Sequence, residues 1–206
     1  MKRDPLKATV LATRYIPNAT QKMVQDLITA GGIIEYDPQR HRSLALLTAD
    51  CDDVTYTALD EATKKADVDV IYAHSFYAGA ANANTKLAGE IIGVLAGPNP
   101  AEARAGLEAA VDFIENEAHF VSANDDDSHC ISRTGSYLSS TNGIKEGEAL
   151  AYLIAPPLEA MYALDAAIKA ADVTIVALYN PPSETNFGGG LLTGSQSACK
   201  AACNAF

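Results

Sequence analysis

Three carboxylates stand within four positions at Asp50, Asp52 and Asp53, in the string DCDDVTYTALDEATK. Ahead of a helix, such acids meet free backbone amides and the positive end of the helix dipole, so capping is one role that suits them. With Glu90 of the AGE string they also suit a ligand-binding cleft. The glycine-rich string GGGLLTGS begins at Gly188, where amides at a following helix start could receive an anion. It lacks the lysine of a nucleotide-binding loop, and Ser195 is explained as a helix cap. Four histidines (His41, His74, His119, His129) and four cysteines (Cys51, Cys130, Cys199, Cys203) show no metal-ligand spacing. His129 beside Cys130, and Cys199 one helical turn before Cys203, come nearest to a metal clip, but buried structural thiols and a surface or partly buried structural histidine are the better account of them. The polar turn RTGSY at residues 133–137 holds a serine without a neighbouring base or a nucleophile elbow. No motif pairs a general acid with a general base. The expectation is a chain without a catalytic centre, a metal or a cofactor.

The elements that must position these residues are written twice. Residues 57–68 read TALDEATKKADV and residues 162–173 read YALDAAIKAADV, with Asp60 matching Asp165, Lys64 matching Lys169 and Val68 matching Val173 at a constant offset of 105 positions. In the first copy Ala58, Leu59, Ala62 and Ala66 form one helical stripe, while Asp60 with Lys64 and Glu61 with Lys65 are acid-to-base pairs expected on the outer face. Each copy follows an apolar run, SLALLTA or ALAYLIA, and precedes VDVIYA or VTIVALY, then a loop of small residues, a second run, IIGVLAG or LLTG, and a further helix. Asn99 before Pro100, and Ser195, mark the starts of those further helices. The order strand, helix, strand, strand, helix in both halves predicts an α+β fold of two tandem domains, each a mainly antiparallel sheet with flanking helices. The domains are expected at residues 1–116 and 117–206.

The totals narrow the partners. Hydrophobic residues at 48% and charged residues at 20% suit a packed core, and the net charge of −11 with fifteen scattered Lys and Arg argues against nucleic acid. There is no signal-peptide core at the start and no run of 18 apolar residues, so no membrane span and a cytosolic, thiol-keeping location are expected.

The strings DCDDVTYTALDEATK, SFYAGA, GPNPAEARAGL, SRTGSYLSS, APPLEAMYALDAA, PPSETNF and LTGSQSACKAACNAF closely resemble the EutL family of ethanolamine-utilisation shell proteins of bacterial microcompartments, from about Ser43 to Phe206. The resemblance implies two tandem, circularly permuted BMC domains and a homotrimer shaped like a hexagonal tile. Such tiles pack with other shell proteins around the ethanolamine-degrading enzymes. It also implies a central pore that opens and closes and smaller pores that hold ethanolamine. Carried onto this sequence, the ethanolamine site draws on Asp52 or Asp53, Glu90, Phe120 and Thr185. A carboxylate for the ammonium and a hydroxyl for the alcohol are what such a cation wants. A gate needs backbone that changes conformation at small cost. The loop from Ser75, with Phe76, Tyr77 and Gly79, and the loop with Asn186, Phe187 and Gly188 fit that need, though long hairpin loops would look the same. The alternative function is a soluble ligand-sensing or enzymatic protein built from the duplicated α+β unit.

Overall fold

A computed structural model of the chain describes residues 5–75, 91–117, 120–121, 128–155, 157–179 and 188–206. In chain order its elements are β1 (Pro5–Leu6), β2 (Val10–Ile16), α1 (Gln21–Gly31), β3 (Ser43–Ala49), α2 (Asp52–Lys65), β4 (Asp69–Ser75), β5 (Ile91–Gly97) and α3 (Pro100–Asp112). A π-helical turn, Phe113–Glu117, extends α3. There follow β6 (Phe120–Val121), β7 (Ser128–Arg133), α4 (Ser136–Asn142), β8 (Ala149–Ala155), α5 (Pro157–Ala170), β9 (Val173–Tyr179), β10 (Gly188–Gly194) and α6 (Gln196–Ala205). Two compact units result. The first comprises Lys7–Ala118 with Gly135–Leu138, and the second comprises Met1–Leu6, His119–Thr134 and Ser139–Phe206.

Each unit carries one four-stranded antiparallel sheet in the same order: β2-β3-β5-β4 in the first and β7-β8-β10-β9 in the second. β1 and β6 form a separate two-stranded ribbon in the second unit. The expected α+β duplication is therefore present, and each copy is longer than the repeat in the sequence. A strand and a helix, β2 with α1 or β7 with α4, precede the strand-helix-strand-strand-helix core of each unit. These leading elements were hard to read because β2 is an edge strand of partly buried residues with no clean alternation, and the RTGSY turn runs into α4.

Local chemistry sets the helix ends. Asn99 accepts from the amides of Ala101 (2.9 Å) and Glu102 (3.0 Å), and Ser195 accepts from Ala198 (3.1 Å), as their side-chain types require. The first core gathers Val24, Ile28, Leu44, Ile71 and Val94, and the second gathers Leu153, Leu164, Leu192, Cys199 and Cys203. Cys199 and Cys203 are thus core side chains, and burial pushes the Cys199 thiol up, which keeps it protonated.

Asp60 departs from expectation. Its repeat partner Asp165 lies exposed and pairs with Lys169 at 2.5 Å, the outer-face arrangement predicted for Asp60. Asp60 is instead fully buried at 0% exposure. Its Oδ2 accepts from the Gly135 amide at 2.6 Å and its Oδ1 from the Leu138 amide at 2.9 Å, so the carboxylate caps the start of α4. Lys64 stays 3.7 Å from Oδ2 and turns to Glu61 at 2.5 Å. The fit is close: a Cβ on Gly135 would lie 2.8 Å from both the Asp60 carbonyl oxygen and the Thr63 hydroxyl. Periodicity could not show this, because the amides that bury Asp60 lie some 75 residues away.

Two acids of the first unit respond to pH in opposite senses. Burial pushes the Asp60 carboxyl up, and the amides of Leu138 and Gly135 and the Lys64 ammonium only partly oppose it. Asp69 is also penalised by burial, but hydrogen bonds from His41 (3.2 Å) and Arg40 outweigh this and leave its carboxyl below the ordinary range. The Asp37 amide donates to His41 Nδ1 at 3.0 Å, so Nε2 carries the proton given to Asp69. The Asp69 contribution is complete above the unfolded value of about 3.9 and is lost as pH falls through the lowered folded value. The Asp60 contribution is complete below about 3.9 and declines as pH rises through its raised folded value.

Two predictions follow from these contacts. Asp60→Ala leaves two amides without their acceptor and is expected to cost about 3 kcal/mol, read as a lower urea midpoint at unchanged slope. Asp69→Asn is expected to narrow the stability difference between about pH 7 and about pH 3 relative to the parent chain, measured by urea unfolding at both values. An undiminished difference would contradict the assignment.

Candidate functional site

Of the predicted residues, Asp52, Asp53 and Ser75 lie at one end of the first sheet. Ile91, which opens β5, pairs with Ala49 at the end of β3 and with Ser75 at the end of β4. The chain leaving β3 turns through Asp50, whose Oδ1 accepts the Thr9 amide at 2.6 Å, and enters α2 at Asp52. Asp50 is therefore engaged in holding the turn. Cys51 is the N-cap of α2 without a side-chain cap bond, and Asp52 Oδ1 accepts the Asp53 amide at 2.8 Å. Both carboxylates, half-buried, occupy the first turn, where the helix dipole favours negative charge.

One helical turn on from Asp52, Tyr56 reaches the end of β4, its hydroxyl 2.8 Å from Ser75 Oγ. Burial pushes the Tyr56 phenol up against the opposing Ser75 hydrogen bond, and the charges of Asp52 and Asp53 push it up further. The phenol thus stays neutral, with a proton to donate, beside two carboxylates. Two anions, a phenol and a serine hydroxyl together can take a small cation that also carries a hydroxyl. Tyr56 was not singled out in the sequence; the available signal was its i+4 spacing from Asp52 on a helix whose start the acids mark.

Among the other predicted residues, Phe120 lies in β6, where its backbone pairs with Leu6. Glu90, Thr185, Phe76, Tyr77, Gly79, Asn186 and Phe187 lie outside the described residues. Gly188 opens β10 opposite Ala155 and is buried. The three successive glycines are strand, and their need is close packing: a Cβ on Gly189 would sit 2.0 Å from the Leu153 carbonyl oxygen, and one on Gly190 would sit 2.9 Å from that of Ala177. The phosphate-loop alternative loses its geometry, since these glycines form a ladder with β8 and β9 rather than a loop. Ser195 caps α6, as expected. A groove of about 590 Å³ along β2 and α3, with Leu107, Val111 and Glu108 in its wall, contains none of the predicted residues. Among the described residues no group of three His, Cys, Asp or Glu is placed to hold a metal ion, and no helix is long and apolar enough to cross a membrane.

With duplicated sheets and acids at the head of α2 in place, comparison with known proteins decides the family. Residues 43–133 match the BMC domain model. The bacterial microcompartment shell protein EutL of Clostridium perfringens (strain 13 / Type A) is 64% identical over 211 residues, a match spanning 100% of this chain and 94% of that one. The chain belongs to the EutL family of bacterial microcompartment shell proteins. The crystal structure of ethanolamine utilization protein EutL from Leptotrichia buccalis C-1013-b superposes with a TM-score of 0.87 at 70% identity, covering 100% of this chain and 93% of that one. A trimeric bacterial microcompartment shell protein, PduB, shares the fold at a TM-score of 0.71 and 19% identity, over 94% of this chain and 83% of that one. As an EutL-family member the chain is a structural shell protein rather than an enzyme, and its two sheets are tandem BMC-type α+β domains.

Because Gly189 is pressed against backbone, Gly189→Ala is expected to destabilise the fold by about 2 kcal/mol or more, measured as a shift of the urea midpoint. A neutral substitution would mean that β10 and β8 do not approach as described.

Proposed function

We propose that three copies of this chain form a hexagon-shaped tile of the ethanolamine-utilisation microcompartment shell, with residues 1–116 and 117–206 as the two repeated domains. The tile packs edge to edge with its own kind and with other shell proteins, and a central pore lets small molecules or cofactors through. The observation that carries this reading is the identical strand order of the two sheets. Residues 76–90 join β4 to β5, and residues 180–187 join β9 to β10, the same pair of strands in two sheets of identical order. Three copies of two such sheets provide six equivalent elements around one pore. Ser75, which ends β4 as a paired strand residue, with Phe76, Tyr77 and Gly79 after it, and Asn186 and Phe187 ahead of Gly188, which opens β10, are the gating residues of this reading.

Ethanolamine, a cation at neutral pH, is the ligand of the smaller pore. Its ammonium is assigned to Asp52 or Asp53, supported by the paired carboxylates at the head of α2. Its alcohol is assigned to hydroxyl groups, with Thr185 from the family resemblance and the Tyr56–Ser75 pair, whose phenol feels the charges of Asp52 and Asp53, as described hydroxyls. Glu90 and Phe120 complete the set. Ligand binding gates the pore only through unequal affinity for the open and closed forms.

The test combines solution mass, electron microscopy of concentrated protein and ethanolamine titration. A three-chain particle that forms hexagonal sheets is expected, with ethanolamine binding weakened at least about tenfold by Asp52→Ala, the loss of one charge-assisted contact. A single-chain particle that never tiles would refute the tile. Unchanged binding by both Asp52→Ala and Asp53→Ala would refute the ligand assignment.

A further inference from the structure

We infer that the hydrogen-bonded hydroxyl pair of Tyr56 and Ser75 makes the site at the head of α2 select a cation that carries a hydroxyl over a plain alkylammonium of the same size. The inference rests on the ligand assignment above and names the side chains that set its specificity. The carboxylates by themselves discriminate little. Their attraction for an ammonium depends on charge and distance, so ethanolamine and propylamine are alike to Asp52 and Asp53. A carboxylate can accept a proton from the ligand's alcohol but has none to give back. Part of the accepting capacity is also taken: Asp50 Oδ1 receives the Thr9 amide at 2.6 Å, and Asp52 Oδ1 receives the Asp53 amide at 2.8 Å.

The pair supplies what the acids lack. Tyr56 Oη and Ser75 Oγ stand 2.8 Å apart, and either can be the donor. Two hydroxyls carry two protons and their mutual bond uses one, so whichever way it points a proton remains to be given, with lone pairs beside it. Burial first, and then the charges of Asp52 and Asp53, keep the phenol protonated. Both side chains are half-buried, so a methyl group set against them would strip water from the pair and return no hydrogen bond. The duplication shows that packing does not require these groups. At the constant offset of 105 positions, Asp52, Asp53 and Tyr56 of α2 match Pro157, Leu158 and Met161 of α5. Met161 packs against the core of the second unit, so an apolar side chain fills that position of the fold. A helix also starts there on Pro157 with no carboxylate at the two matching places. In the first unit alone the position holds a phenol, and its hydroxyl meets the end of β4.

The test titrates ethanolamine and propylamine against the full chain and against Tyr56→Phe/Ser75→Ala, which removes both hydroxyls and keeps the ring. The parent is expected to bind ethanolamine at least about tenfold more tightly than propylamine. The double variant, with the parent's circular dichroism, is expected to bring that ratio to about one by losing ethanolamine affinity, while its propylamine affinity stays within about twofold of the parent's. A parent without the preference, or a double variant that keeps it, overturns the inference and leaves the ligand assignment intact. Equal loss of both amines in the double variant means that the pair only holds α2 against β4, and it overturns the inference as well. A parent that binds neither amine overturns both the inference and the ligand assignment.

Discussion

The buried carboxylate of Asp60 is the constraint on which the first unit depends. A carboxylate at 0% exposure persists only where donors replace the water it has lost, and here these are two backbone amides at the start of α4. That requirement fixes several choices at once. Position 135 must be glycine, because a Cβ there would press on Asp60 and Thr63. The Thr55 and Thr57 hydroxyls return their hydrogen bonds to the Cys51 and Asp53 carbonyls, so the buried side of α2 carries polar residues at little cost. The same helix then presents Asp52, Asp53 and Tyr56 at its other end, so the acid that anchors α2 also steadies the turn that carries the candidate ligand site.

Duplication explains why two nearly identical helices behave so differently. A repeated segment inherits its internal side-chain pairs, and both copies keep an acid and a lysine four residues apart. It does not inherit what covers it. α2 has lost its outer face to Gly135–Leu138, and its Thr57 and Asp60 are small or hydrogen-bonded accordingly. α5 carries Leu158 and Tyr162 at the matching positions, residues costly to leave in water and well suited to a partner. The glycines differ as well. Gly189 and Gly190 let β10 approach its neighbours closely, whereas Gly32, with φ at 63°, ends α1 in the left-handed region.

Much of the fold was legible because its signals are local. The alanine-rich stripe, the Asn99 and Ser195 caps, Pro157 at the first turn of α5 and the apolar strands each depend on neighbours a few residues away. The leading strand and helix of each unit were not legible. The burial of β2 comes from pairing with β3, and α4 is a seven-residue helix whose start is stabilised by a distant acid. The candidate site divided in the same way. Asp52 and Asp53 were found from their place before a helix, while Tyr56 was missed because its partner, Ser75, lies on another element. Asp60 was placed on the outer face because its spacing from Lys64 says so, and nothing near it in sequence says otherwise.

Backbone amide exchange resolved by residue would test the central claim, that the buried Asp60 carboxylate holds the start of α4. The account predicts that the Gly135 and Leu138 amides exchange slowly at every protein concentration. Fast exchange at Gly135 and Leu138 would contradict it.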